Sequence, residues 1–150
     1  MDNDDLLERE VTNDIIGAFY VVYNKLGFGF LEHVYNAALE RELLARGRAV
    51  ARQVLVQIFY DGEPIATQRL DFIVDGSVVV ESKSTERLPP NAQRQTLNYL
   101  RASTLEVALV LHFGPEPRFY RLFHTRKEFR RADRKVTDSS VGAQSQATPP

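Results

Sequence analysis

Two Asp-Gly dipeptides, Asp61-Gly62 and Asp75-Gly76, punctuate the middle of the chain, each between runs of β-forming residues. A two-residue hairpin turn of type I′ needs positive φ at both central positions, which Asp-Gly tolerates well, so each dipeptide turns the chain back on itself. From Val50 to Tyr60 the apolar positions recur with period two, setting Val50, Val54, Val56, Ile58 and Tyr60 on one side. Further β runs follow at roughly 66–74 and 77–83, on either side of Asp75-Gly76. Three antiparallel strands are expected at the centre of the protein.

The flanks supply helices to cover them. Ile15, Ile16, Phe19, Val22 and Leu26 recur at helical spacing over residues 12–26, with Thr12 or Asn13 as N-cap. Gly27 and Gly29 interrupt this helix, and a second begins near Glu32 and carries Val34, Tyr35, Ala38, Leu39 and Leu43 before Gly47 stops it. After Leu88-Pro89-Pro90 a third helix starts at Pro90 or Asn91 and holds Gln95, Leu97, Tyr99 and Leu100. The run LEVALVLHF is continuously apolar, as a strand covered on both faces must be; Pro115 and Pro117 close it, and residues 118–124 form a last short strand. The order is ααβββαββ: a single α/β domain over residues 1–125 with a mixed, largely antiparallel sheet. Residues 126–150 are a basic segment that continues into a polar tail, expected to be disordered.

Composition narrows the chemistry. A chain of 150 residues buries roughly 68–70% of its unfolded surface, enough for one core and not two. No apolar run approaches the ~18–20 residues of a membrane span, and the acidic opening MDNDDLLERE is unlike a secretory signal, so a cytoplasmic address is the default. There is no cysteine, which excludes disulfides, thiolate metal sites and a cysteine nucleophile. His33, His112 and His124 show no metal-ligand spacing. The net charge of −1 rules out nucleic-acid binding by bulk charge alone. No histidine lies near Ser82, Ser84 or Thr85 in the sequence, and LGFGF lacks the Lys and Ser/Thr of a phosphate-binding loop, so a serine hydrolase and a P-loop are both unsupported.

The remaining candidates sit on the second hairpin. Glu81 and Lys83 are two apart on one strand and project to one side, while Ser82 faces away. The turn at Asp75-Gly76 folds Asp71 back toward Glu81. Two carboxylates converging near the Ser82 carbonyl make a hard-oxygen site suited to Mg²⁺ or Mn²⁺, with Lys83 beside the ion to position water or neutralise charge on a phosphate. The same Glu-x-Lys is otherwise a surface ion pair worth ~0–1 kcal/mol. Glu32 opens a helix, where it also complements the helix dipole. Gln95 and Tyr99 share one face of the third helix, equally a surface residue beside a core one.

Gly29, Glu32 and Tyr35, followed by Arg69-Leu70-Asp71 and Val80-Glu81-Ser82-Lys83, resemble the segments that define the GxxExxY family of small bacterial and archaeal proteins, itself placed in the PD-(D/E)xK nuclease superfamily. The likeness runs from Ile16 to about Phe113, with Ser82 standing where the family usually has Leu. It implies a restriction-endonuclease-like fold and metal-dependent hydrolysis of nucleic acid, with DNA the expected substrate. Asp71 and Glu81 would be metal ligands together with Ser82, through its carbonyl; Glu32 would be an additional metal ligand or a holder of water, and Lys83 would complete the catalytic set. Gln95 and Tyr99 are similar in spacing to the Q-x-x-x-Y motif of RecB-type nucleases, which implies contact with the substrate strand. The alternative is a non-catalytic module that uses the same fold to bind nucleic acid or protein, or to form a homo-oligomer.

Overall fold

The structure, a computed structural model, describes residues 8–125. Both Asp-Gly pairs turn with positive φ at each residue, 49° and 79° at Asp61 and Gly62 and 52° and 64° at Asp75 and Gly76, the signature of type I′ hairpins. They join β1 (Val50–Tyr60), β2 (Glu63–Val74) and β3 (Val78–Lys83) into an antiparallel meander. The helices α1 (Arg9–Leu26) and α2 (Glu32–Ala45) precede it; α3 (Ala92–Ala102), β4 (Val107–Phe113) and β5 (Pro117–Phe123) follow. The five strands lie in the order β1-β2-β3-β4-β5, with only β3 and β4 parallel, because α3 is the crossover between them. This is the expected ααβββαββ order and a mixed α/β fold of the restriction-endonuclease-like type.

The sheet has helices on both faces. One core packs Ile15, Phe19 and Val22 of α1 and Tyr35, Leu39 and Leu43 of α2 against Phe72, Val78, Val80, Leu109 and Phe113. The other packs Leu100 of α3 against Val54, Val56, Leu70, Ile73, Val79 and Ala108. All seven residues of β4 are buried, the reason its sequence shows no alternation.

Several local expectations are corrected. Helix α1 begins at Arg9, not at Thr12, whose hydroxyl instead donates to the Arg9 carbonyl (3.0 Å) and accepts from Arg121 (2.8 Å). Pro117 opens β5 as well as ending the turn after β4, and β2 starts directly after its turn, at Glu63. The five residues of β1 expected on one side do not share a face: Val50 packs with the α1/α2 core, Val54 and Val56 with the α3 core, and Tyr60 is 67% exposed. The cause is Gln53, which takes φ 54° inside the strand, so that Ala51 and Val54, three apart, face the same way. The expected basic segment and disordered tail, residues 126–150, lie outside the described residues.

Candidate active site

The break in β1 has a counterpart in β2. Val54 pairs with Leu70 and Arg52 with Phe72, which puts Gln53 opposite Asp71. Leu70 and Ile73 then both face the α3 core, so β2 also changes its alternation around Asp71. On the other side of Asp71 the β2–β3 ladder ends at Phe72 and Val80. Beyond that point side chains take over the backbone's hydrogen bonds. The Asp71 N–H donates to Glu81 Oε1 (3.0 Å), and the Ser82 N–H donates to Asp71 Oδ2 (2.8 Å). The two carboxyl groups face each other closely enough to share a hydrogen bond. The sheet thus opens at the point where two acids are held by each other's backbone.

Burial makes that pair electrostatically costly. Glu81 is only 7% exposed, and desolvation, then the charge of Asp71, pushes its carboxyl up to about 8, against the opposing Asp71 amide and Lys83. Desolvation also raises Asp71, against the pull of the Ser82 N–H, Lys83, Glu81 and Arg52. Glu32, at the first position of α2, is raised by burial and by Asp71, while Lys83 and the Ser84 N–H stabilise its charge. From α3, Tyr99 is raised by burial and by the charges of Glu81 and Asp71. Glu32, Asp71, Glu81, Lys83 and Tyr99 therefore belong to one electrostatic neighbourhood built from α2, β2, β3 and α3. Gln95 is exposed one turn before Tyr99. Lys83 and Glu81 close no direct ion pair, so a simple surface Glu–Lys bridge does not describe this strand end.

Ser82 is fully buried, and by alternation with Val78 and Val80 its side chain enters the α1/α2 side of the sheet. Its hydroxyl has no hydrogen-bond partner there. Only its backbone borders the acids.

Tyr35 does not reach the site; it holds the loop that delivers Glu32. Its ring stacks on Phe113 at 4.3 Å, and its hydroxyl donates to the Gly27 carbonyl and accepts from the Phe30 N–H (3.3 Å). Gly27 and Gly29 have φ of 70° and 116°, conformations that glycine adopts without strain. Gly29, Glu32 and Tyr35 thus divide the work into bend, acid and clamp. Tyr35→Phe keeps the stack and loses the clamp. It is expected to cost about 1–2 kcal/mol in a urea melt.

Two residues were missed in the sequence. Arg52, opposite Phe72 and 5.4 Å from its ring centroid, contributes positive charge near Asp71. The hairpin register places it, but nothing in its own neighbourhood marks it. His112 pairs in register with Lys83 across the parallel β3–β4 junction, a neighbour that no spacing rule reveals.

Among the described residues no three His, Asp or Glu side chains close around a single point, so the fit to a metal rests on the Asp71–Glu81 pair. That pair suits a hard divalent cation: its donors are carboxylate oxygens, and it holds a proton where a cation would remove the repulsion. The pH dependence has a defined sign. Glu81 keeps its proton in the folded chain up to about 8 but loses it near 4.5 when unfolded. Its contribution is thus fully present below about pH 4.5 and is lost between there and about pH 8, by a few kcal/mol in metal-free protein. At pH 8 Mn²⁺ is expected to stabilise the fold by about 2.7 kcal/mol at a hundredfold excess over Kd, and at pH 5 the same Mn²⁺ concentration by less. Melting curves in EDTA and in Mn²⁺ at both pH values check this; no response to Mn²⁺ at pH 8 contradicts it.

A family model described as the PD-(D/E)XK nuclease superfamily matches residues 9–122, about three quarters of the sequence. The chain belongs to the PD-(D/E)XK nuclease superfamily. That match spans every element from α1 to β5 and includes all the acids of the site. Among solved structures, the PD-(D/E)XK chain is similar to one titled "Crystal structure of SSO0001", at 20% identity and a TM-score of 0.49, with 95% of this chain and 69% of that one covered. A search of curated proteins found no match. No helix among the described residues is long and apolar enough to cross a membrane.

Proposed function

We propose that the protein is a Mg²⁺- or Mn²⁺-dependent nuclease of the GxxExxY type, cytoplasmic, that hydrolyses phosphodiester bonds, with DNA as substrate. The observation that carries the reading is the Asp71–Glu81 pair beside Lys83 at the opening of the β2–β3 ladder. A hydrogen-bonded, buried carboxyl pair has little structural reason to exist; replacing both acids by apolar residues would remove its desolvation cost. Asp71 and Glu81 would hold the ion, with the Ser82 carbonyl as a further oxygen donor. When bound, a hard divalent cation polarises the phosphate and lowers the pKa of water.

The protein's own groups do the rest. Lys83 orients the attacking water and offsets charge that grows on the phosphoryl oxygens. Glu32 reaches the site from the opposite side, from the start of α2, and holds the water by hydrogen bonding. Tyr99, whose phenol stays protonated at neutral pH, donates to a strand laid along α3, and Gln95 contacts the same strand one turn away. Water gives up a proton to bulk solvent as its oxygen bonds to phosphorus, the P–O bond to the leaving oxygen breaks, and that oxygen takes up a proton from solvent. The test is incubation of the full chain with single- and double-stranded DNA and RNA in Mn²⁺, Mg²⁺ and EDTA. Cleavage that EDTA stops supports the reading. Binding without cleavage under every condition overturns it in favour of a binding module on the same fold.

A further inference from the structure

The sheet face that carries Glu81 and Lys83 continues across two more strands. Lys83 lies beside His112 in the parallel β3–β4 pair, and His112 lies beside Arg118, and Val110 beside Tyr120, in the antiparallel β4–β5 pair. Alternation from Ala108 and Leu122, which pack with α3, puts His112, Arg118 and Tyr120 on the same face as Glu81 and Lys83. At this end of the strands, between the loop after β3 and the β4–β5 turn, is a cavity of about 370 Å³. Strands are spaced about 4.8 Å apart, so β5 stands roughly 10 Å from β3 and the cavity adjoins the acid site without including it.

Its lining has a definite chemistry. Tyr120, Leu88 and Pro115 offer flat or apolar surfaces, and the exposed Arg87 and Arg118 offer guanidinium groups. Arg118 is paired to Glu116 at 2.9 Å, but both are exposed, so that pair is weak and open to exchange for a phosphate. His112 is buried, and its Nε2–H donates to the Thr85 carbonyl at 2.7 Å. Gly114 makes room for this ring: a Cβ there would come within 2.6 Å of His112 Cε1. Flat walls and two guanidinium groups match a base and its phosphate, with the carboxylates of Glu86 and Glu116 also in the lining.

We propose that this cavity is a nucleotide subsite that takes one unpaired nucleotide next to the cleaved phosphodiester, its base against Tyr120 and its outer phosphate at Arg87 and Arg118. The proposal rests on the nuclease reading and deepens it. A base laid flat against Tyr120 has left the stack of its own strand, so the substrate is single-stranded or frayed at the point of cutting.

The test is a scan of single-stranded DNA oligonucleotides, each carrying one abasic position, cut by the full chain in Mn²⁺. Cutting next to the abasic position should fall about tenfold, the rate equivalent of one base–aromatic stack, and a closed duplex of the same sequence should be cut more slowly by a similar factor. Tyr120→Ala should cut the intact strand at that lower rate and lose the abasic effect. If Tyr120→Ala fails to fold, Tyr120→Leu keeps the apolar bulk without the flat ring, and Arg118→Ala, at an exposed position, should raise KM with little change in kcat. A flat scan, or an abasic effect unchanged in these variants while the protein still cuts, overturns the subsite and leaves the nuclease reading standing. If the wild type cuts nothing, dAMP titrated into the protein and followed by NMR decides. Binding that Tyr120→Leu abolishes supports the subsite without catalysis, and no binding into the millimolar range overturns it.

Discussion

Glu81→Gln is expected to lower metal-dependent cleavage by orders of magnitude and, in the same protein, to raise the metal-free melting temperature at pH 8. The two effects have one cause. Glu81 is buried and its carboxyl is pushed up to about 8, so the folded chain prefers it neutral. Glutamine reproduces the neutral acid: its Oε1 accepts from the Asp71 N–H as Glu81 does at 3.0 Å, and its Nε2 donates to the Asp71 carboxylate. The variant therefore avoids the loss of stability that the wild type accumulates between about pH 4.5 and pH 8, and the gap between their stabilities should close as pH falls to 5. A neutral amide is a poor ligand for a hard cation, so Mn²⁺ should stabilise the variant far less than the wild type. Cleavage of labelled DNA and melting curves with and without Mn²⁺ check both arms. A variant that cuts normally removes Glu81 from the chemistry, whatever its stability.

Lys83→Met should lower turnover by about 10²–10⁴, the range for a positioned proton-transfer or charge-stabilising group, while leaving the response to Mn²⁺ in place. Lys83 ends β3 and is only half-buried, so methionine keeps the stem and removes the ammonium. The loss raises the carboxyl pKa of Glu32, Asp71 and Glu81, all of which Lys83 now lowers. It also removes a repelling cation from beside the ion. Stabilisation by Mn²⁺ at pH 8 should thus hold or grow as turnover collapses. A variant that loses both would make Lys83 a structural support of the acid pair; one that loses neither would make it a bystander.

Much of this was legible in the chain itself. The two Asp-Gly turns impose two hairpins because few other pairs accept positive φ twice in succession, and β4 shows its central place by having no polar residue before His112. The order ααβββαββ follows from such local rules, as does the pairing of Glu81 with Lys83 on one side of a strand. Distances between strands obey no local rule. Only the tertiary structure shows that the β2–β3 ladder stops one residue short of Asp71 and Glu81, so that the amides of Asp71 and Ser82 turn to carboxylates. The same holds for the break at Gln53 and for Tyr35, whose clamp on the Gly27 loop needs Phe113 from β4 beneath it. The raised carboxyl of Glu81 is tertiary as well, because a pKa depends on the water removed and the charges brought near. The sequence by itself determined which residues could do this chemistry and in which elements they lie; only packing decided that β2 and β3 would part where those residues stand.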